Sequence, residues 1–362
     1  MNAVARVGRL RNRIVDEGLS AMIVSDPVNV AYITGFDGVF DAEDAHAAVV
    51  SAGSAVLYTD SRYIEAARAA ARGTEWQVRL VSANLYVTLT EDAHAEGMSS
   101  LAIEESVPHG RFRFISSRFD GNIEAVDQWV EDLRAVKDAE ELERIAAAQQ
   151  LTDAAFQHVL SLPVCGMTER QLALEIEYRM RKAGSEGVAF PAIVASGPNS
   201  ALPHAHPTDR VIARGDLVVL DFGARVDGYC ADMTRTVCIG AADERQREVY
   251  DAVRAANEAG TAAVKAGMPG QSVDAAARAV LESRGLGEAF GHGLGHGVGL
   301  EVHEAPGVGP RSSKSIPEGS VITIEPGAYL PGFGGVRIEN LVVVESGGAR
   351  VLTESTTDLM EL

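Results

Sequence analysis

Along the first third of the chain, apolar residues fall in short blocks separated by polar stretches of helical period. AMIVS (Ala21–Ser25), AAVVS (Ala47–Ser51), AVLYT (Ala55–Thr59) and LAIEE (Leu101–Glu105) have the length and apolar character of strands. SRYIEAARAAARG, after Thr59, reads as a helix stopped by Gly73. The pattern predicts a compact α/β domain ending near Trp129. Beyond it the period changes. Asp138 precedes a helical run reaching about Leu162 and has Glu141 three residues on, which makes a capping box with Asp in place of Ser or Thr. Thr168 and Gln171 repeat the arrangement for a second helix, stopped at Gly184. Two more helices are predicted over roughly 243–266 and 272–284. FPAIVAS, DLVVLDFGARV, GYCADMTRTVCIG, SVITIEPGAYL and GVRIENLVVV read as strands. The expected organisation is two domains, an α/β domain over 1–130 and an α+β domain with antiparallel hairpins over 131–362.

Composition narrows the function classes. The 362 residues are too many for one ordinary core, which agrees with two domains. Apolar residues make up 46% and charged residues 23%, the balance of a globular protein in water. No apolar run approaches the roughly 18–20 residues needed to span a bilayer. The N-terminal stretch mixes Arg6, Arg9, Arg11 and Arg13 with Asp16 and Glu17 and lacks an apolar core, so no secretory signal is expected. A formal net charge of −19 repels phosphate backbones and argues against a nucleic-acid partner. Three cysteines, Cys165, Cys230 and Cys238, are an odd number without paired spacing and point to reduced thiols in a cytoplasm.

The candidate chemistry lies in the second domain. In GHGLGHGVGLEVHE, glycine takes every second position from Gly291 to Gly299, with His292, His296 and His303 among them. Such a stretch is either a mobile loop or a strand stripped of side chains for close backbone approach. In LVVLDFGARVDGYCADMTRTV, the Asp227-Gly228 pair signals a hairpin turn. A two-residue loop there puts Asp221 opposite Thr234, with Asp232 on the diagonal of the same face. Each aspartate could instead cap a turn or pair with Arg225 or Arg235. The segment SVITIEPGAYLPGFGGVRIEN repeats the oddity, since Glu325 and Glu339 stand in strands that otherwise read apolar. Four carboxylates and one imidazole match the charge and hardness of two divalent cations sharing a hydroxide. Oxygen-rich sites of this kind suit manganese, magnesium or cobalt.

The ordered set Asp221, Asp232, His296, Glu325, Glu339 resembles that of the pita-bread metallopeptidases, in the proline-peptidase branch that contains aminopeptidase P and prolidase (Xaa-Pro dipeptidase). VVLDFGARVDGYCADMTRT, FGHGLGHGVGLEVHE, ITIEPGAY, GVRIEN and SGPNSALPHAHP all resemble family motifs, and the match covers nearly the whole chain. DPVNVAYITGFDG and YTDSRYIEAA resemble the creatinase/prolidase-type N-terminal domain. The resemblance implies that domain followed by a pita-bread catalytic domain. It implies Asp221 chelating one metal, Asp232 and Glu339 bridging the pair, and His296 and Glu325 completing the second shell. The ions are two per chain, manganese by resemblance, with cobalt, zinc or magnesium as alternatives. By the same resemblance, a hydroxide between them would attack the peptide carbonyl and Glu325 would shuttle the proton. His292 and His303 would contact substrate or stabilise the tetrahedral intermediate, and His204 matches the family's further active-site histidine. Arg337, two residues before Glu339 and so on the same strand face, is expected to orient a carboxylate, bind substrate or form a plain surface salt bridge, and Tyr229 is a further candidate behind the ligands. His46 and His206 read as structural.

The implied substrate is a peptide or dipeptide with proline second, whose scissile bond is a tertiary amide without an N–H. Neither a nucleic acid nor a membrane is expected as partner, and the resemblance implies a homodimer. Arg62 and Tyr63 are candidates for reading the substrate's far end. Rival readings are a creatinase-like hydrolase, a methionine-aminopeptidase-like enzyme and a non-catalytic binding module. The intact set of five ligand positions counts against the first and last, and the N-terminal domain counts against the second.

Overall fold

In the computed structural model, residues 3–36, 38–40 and 45–362 are described. Asp37, inside the DPVNVAYITGFDG motif, lies outside them. The chain divides into two compact units, one through Arg134 and one from Ala135 onward.

The first unit is built on a six-stranded sheet. Its strands are β1 (Ala21–Val24), β2 (His46–Ser51), β3 (Ala55–Thr59), β4 (Gln77–Leu80), β5 (Ser100–Glu104) and β6 (Asn122–Val126), in the spatial order β4-β3-β2-β1-β5-β6. Only β2 runs antiparallel to its neighbours. Helices α1 (Ala3–Asp16), α2 (Pro27–Thr34), α3 (Ile64–Ala70), α4 (Leu85–Ala95), α5 (His109–Ser116) and α6 (Trp129–Arg134) complete the unit. The inner strands are buried at nearly every position, which is why they read as unbroken apolar blocks. The edge strands β4 and β6 are largely exposed and polar, so no apolar block marks them in the sequence. Asp26 caps α2 by accepting from the Val28 and Asn29 amides, Pro27 opens it and Gly35 at φ 68° ends it. His46 lies buried in β2.

The second unit contains two hairpins that share one design. The first runs through β9 (Leu217–Phe222), β10 (Ala224–Val226), β11 (Tyr229–Cys230) and β12 (Met233–Cys238). Its turn residues Asp227 and Gly228 both have positive φ, 46° and 80°, as a type I′ turn requires. Val226 therefore pairs with Tyr229, and the same register carries through to Asp221 opposite Thr234. Midway the hairpin bends from one sheet into another, at Gly223 and Ala231-Asp232. A Cβ on Gly223 would lie 1.8 Å from the Ala231 carbonyl oxygen, so only glycine permits that bend.

The second hairpin runs through β15 (Val321–Ile324), β16 (Gly327–Leu330), β17 (Gly334–Arg337) and β18 (Asn340–Glu345). Ile324 pairs with Asn340 and Gly327 with Arg337, so the register places Glu325 opposite Glu339 at the bend between the two ladders. Asp232 and Glu339, expected inside strands, stand instead in these breaks. A carboxylate freed from a ladder can turn toward a neighbour that the pleat would deny it. Cys230 and Cys238, expected on one strand, are separated by the same break.

Each hairpin is backed by a helix pair. Helices α7 (Ala139–Val159) and α8 (Glu169–Lys182) bury Phe156, Val159, Leu172, Ile176 and Met180 against β9, β12 and β8 (Ile193–Ser196). Both predicted capping boxes are present, at Asp138 with Glu141 and at Thr168 with Gln171. Helices α9 (Glu244–Ala263) and α10 (Gly270–Ser283) bury Val249, Val253, Val273, Ala277 and Leu281 against β15, β18 and their neighbours. Around this frame lie β7 (Gly187–Val188), β13 (Gly295–Gly297), β14 (Glu304–Val308), β19 (Gly348–Val351) and β20 (Met360–Glu361). No helix among the described residues is long and apolar enough to cross a membrane.

Candidate metal centre

The two broken hairpins meet edge to edge. The Glu339 amide donates to the Thr234 carbonyl at 3.1 Å, and Thr236 Oγ1 exchanges bonds with the Arg337 main chain at 2.9 and 3.1 Å. That junction closes a cleft of about 280 Å³ lined by Asp221, Asp232, His292, His296, His303, Glu325, Arg337, Glu339 and His204. All nine candidate residues with expected roles at the site thus face one space. Phe190, Ile193 and Pro203 line it as well and give it an apolar side.

Asp232, His296 and Glu339 offer one ligand atom each, all within 4.8 Å of one another. His296 Nδ1 faces the Gly297 carbonyl at 3.1 Å, and a carbonyl only accepts, so the proton sits there and Nε2 turns to the cleft. Nε2 stands 3.2 Å from Glu325 Oε1 and 3.7 Å from Asp232 Oδ2. Thr234 Oγ1 donates to Glu339 Oε2 at 2.7 Å, and Thr323 Oγ1 donates to Glu325 Oε1 at 3.1 Å. Asp221 Oδ2 accepts from Arg337 Nη2 at 2.5 Å. The remaining oxygens Asp221 Oδ1 and Glu339 Oε1 are buried without a hydrogen-bond partner.

The electrostatics of the cleft suit a divalent cation. Burial, followed by the neighbouring carboxylates Glu339, Asp221 and Glu325, pushes Asp232 well above the usual aspartate range. Burial and the Glu325 and Asp221 charges raise Glu339 to about 8. Burial raises Asp221 too, although Arg337 pulls the other way. Against the opposing effect of burial, its bond to His296 draws Glu325 down to about 2, and His296 rises to about 9. Three buried carboxylates, Asp221, Asp232 and Glu339, and the half-buried Glu325 face the Arg337 guanidinium and the His296 imidazolium, an excess of negative charge that protons or cations must neutralise, since burial keeps His292 and His303 below the usual histidine range. Two orphaned oxygens among hard oxygen donors and one imidazole suit divalent metal ions.

Arg337 is not a surface ion pair, being 4% exposed. Besides Asp221 it donates to Thr234 Oγ1 at 3.0 Å, to the Pro203 carbonyl at 3.2 Å and to Tyr329 Oη at 2.8 Å. His292 Nδ1 faces the Gly293 carbonyl at 2.8 Å, so its Nε2 accepts from Tyr329 Oη at 3.0 Å. Asp221, Arg337, Tyr329 and His292 therefore form one chain that joins a metal-ligand candidate to a substrate-contact candidate. Tyr329 escaped the sequence reading because a tyrosine in a Gly-rich hairpin carries no signal of its own. Tyr329→Phe is expected to lower turnover about 10-fold by releasing Arg337 and His292 together. Steady-state kinetics at wild-type values would show that the chain is not needed.

The His303 ring centroid lies 4.2 Å from that of His296. Tyr229 is elsewhere: its hydroxyl donates to Glu141 Oε1 at 2.9 Å and ties β11 to α7. Arg235 does not pair with either aspartate. It donates to the Thr234, Glu339, Ser355 and Thr356 carbonyls and to Asn340 Oδ1, behind the cleft. Arg225 Nε donates to the Gly228 carbonyl within the turn. The alternating glycines also have a definite cause. A Cβ on Gly295 would lie 2.0 Å from the Thr323 carbonyl oxygen and one on Gly297 2.2 Å from that of Ala305. Glycine here lets β13 lie close to β14 and β15, and Gly293 and Gly295 also line the cleft.

Comparison with known proteins gives the same reading. Residues 143–346 match metallopeptidase family M24, and residues 6–136 match the creatinase/prolidase N-terminal domain. An Xaa-Pro dipeptidase of Pyrococcus furiosus is 35% identical over 98% of this chain and 99% of its own length. The structure of an Xaa-Pro dipeptidase from Bacillus anthracis superposes with a TM-score of 0.94 at 35% identity, covering 100% of both chains. That of an X-Pro aminopeptidase from Thermotoga maritima gives 0.87 at 38% identity, covering 95% of this chain and 98% of the other. The chain therefore belongs to metallopeptidase family M24, in the proline-peptidase branch of the pita-bread fold, as a metallo-exopeptidase with a creatinase/prolidase N-terminal domain.

Proposed function

We propose that the protein hydrolyses Xaa-Pro bonds at the N-terminus of short peptides or in dipeptides, using two divalent cations held by Asp221, Asp232, His296, Glu325 and Glu339. The observation that carries this reading is the pair of buried, unpartnered oxygens, Asp221 Oδ1 and Glu339 Oε1, in a cleft that also gathers Asp232 and His296. Bound there, the cations supply a water of lowered pKa and polarisation of the scissile carbonyl. Glu325, which lines the cleft 3.2 Å from His296, would take a proton from the attacking water and hand it to the leaving proline nitrogen. Arg337 fixes Asp221, and Tyr329 transmits that order to His292. The side formed by Phe190, Ile193 and Pro203 suits a proline ring, which brings apolar surface and no N–H. His204 and His303 are placed to contact the substrate's carbonyl or the charge that develops on it.

Manganese is the cation we assign, on the family resemblance; the hard oxygen donors admit magnesium or cobalt equally. The reading also includes a cytoplasmic setting, supported by an odd number of cysteines without paired spacing. It further includes the homodimer implied by the family resemblance, which light scattering tests.

The test is proline release from Gly-Pro beside cleavage of a longer Xaa-Pro-Yaa peptide, after chelation and after returning manganese. Chelation is expected to abolish activity and manganese to restore it. Restored activity on the dipeptide alone makes the protein a prolidase, and cleavage of the longer peptide makes it an aminopeptidase P. Inactivity on both with metal bound would overturn the substrate.

A further inference from the structure

A segment as glycine-rich as residues 291–299 has little stiffness of its own, yet His292 and His296 must be held in fixed positions. The β13 ladder covers only Gly295–Gly297. The stretch before it, through Phe290 and His292 to Leu294, lies outside any strand. Two side chains of α10 supply what a neighbouring strand would have given. Arg278 Nη1 donates to the Phe290 carbonyl at 2.9 Å and Nη2 to the His292 carbonyl at 2.8 Å. Asp274 Oδ1 accepts from the Leu294 amide at 3.0 Å. The two side chains are one turn apart on the helix and bind each other bidentately at 2.9 and 3.0 Å. The guanidinium also stacks over the Phe290 ring, 4.2 Å from its centroid, and that ring meets His292 edge-on at 5.0 Å.

We infer that Asp274 and Arg278 are positioning residues: a backbone clamp that fixes the path of Phe290–Leu294 and so sets His292 and His296 in the cleft. Neither side chain lines the cleft, so the pair acts through the segment it grips. Arg is required because its planar fork satisfies a carboxylate and two carbonyls at once, which a lysine ammonium cannot do in this geometry. The inference deepens the proposed function and rests on it.

The experiment uses the full chain with Arg278→Ala, Arg278→Lys and a control, Arg254→Ala. Arg254 is a helix arginine paired with Asp251 and Asp358 away from the cleft. Expected for Arg278→Ala is a kcat about 10–100-fold lower with KM changed by less than about threefold, partly restored by added guanidinium. Arg278→Lys is expected to fall between, and Arg254→Ala to match the wild type. Ring-nitrogen NMR of His292 and His296 in metal-free protein reads the clamp without activity. The Nδ1-protonated signature of His292 is expected to shift in both Arg278 variants and not in the control. Wild-type kcat and an unmoved His292 signal in Arg278→Ala, or in Arg278→Lys should the alanine variant not fold, would overturn the clamp. A wild-type enzyme inactive on every Xaa-Pro substrate would instead overturn the proposed function, while the NMR arm still decides the clamp.

Discussion

Asp232→Asn is expected to lower Xaa-Pro hydrolysis at least about 10³-fold, the loss that several kcal/mol of transition-state stabilisation by a correctly held metal represents. It is also expected to move stability in opposite directions with and without metal. Asp232 is 4% exposed and stands among Glu339, Asp221 and Glu325. In metal-free protein, burial beside three carboxylates makes folding of the wild type cost the uptake of a proton by Asp232, a cost that asparagine avoids, so the variant should melt higher by roughly 1–2 kcal/mol of stability. With manganese present the order reverses. A ligand at a thousand times its Kd adds about 4 kcal/mol to the wild type, and the variant loses most of that. Thermal melts with and without manganese, together with metal content per chain by elemental analysis, check both halves. A variant that keeps its metal, its activity and the wild-type melting order would remove Asp232 from the centre.

The largest effect on stability is expected from Glu169, a residue outside the cleft. It is fully buried at the first turn of α8, where the helix N-terminus favours a negative charge. Its carboxylate accepts from the Ser196 amide and hydroxyl, the Thr208 amide and hydroxyl, and Asn199 Nδ2. Ser196 and Thr208 are the two ends of the loop that carries Pro203 and His204 into the cleft. Glu169→Ala leaves the buried Ser196 amide without an acceptor, at about 1–3 kcal/mol, and removes the partly buried charge-assisted bonds from Thr208, at about 1.5–3 kcal/mol, so a loss of about 3–5 kcal/mol is expected.

The pH dependence has a definite sign. Burial alone would raise Glu169, but the bonds from Thr208 and Ser196 hold its native pKa below the ordinary 4.5. Its contribution is therefore present above the unfolded value and disappears as pH falls through the native one. Denaturant melts of wild type and Glu169→Ala should differ fully at neutral pH and converge in acid. A constant gap down to the acid limit would show that the charge is not what the loop needs.

Local features of this protein were legible in its sequence because local physics sets them. The Asp227-Gly228 turn dictated a type I′ hairpin, and a two-residue loop fixes register along both arms, so Asp221 opposite Thr234 followed from the turn. The boxes at Asp138 and Thr168 involve four residues each and could be read the same way. The candidate ligands drew notice because a charged residue in an apolar run needs a partner, whatever the fold. Edge strands β4 and β6 stayed hidden, since a strand with exposed faces need not be apolar.

Tertiary structure decided everything that depends on a second segment. The bends at Gly223 and at Glu325–Glu339 come from the collision of two ladders, and no periodicity within either hairpin announces them. Tyr329 matters only because Arg337 and His292, far from each other in sequence, reach its hydroxyl. Arg235, read as a possible partner of the aspartates, binds the backbone behind them because the C-terminal segment folds over it. The glycines of β13 answer to carbonyls on neighbouring strands, and Asp274 and Arg278 grip a segment that follows their own helix. Turn and cap energies are settled within a few residues of chain. The close approach of two backbones, and the sharing of one hydroxyl or guanidinium among several strands, exist only once the chain has packed.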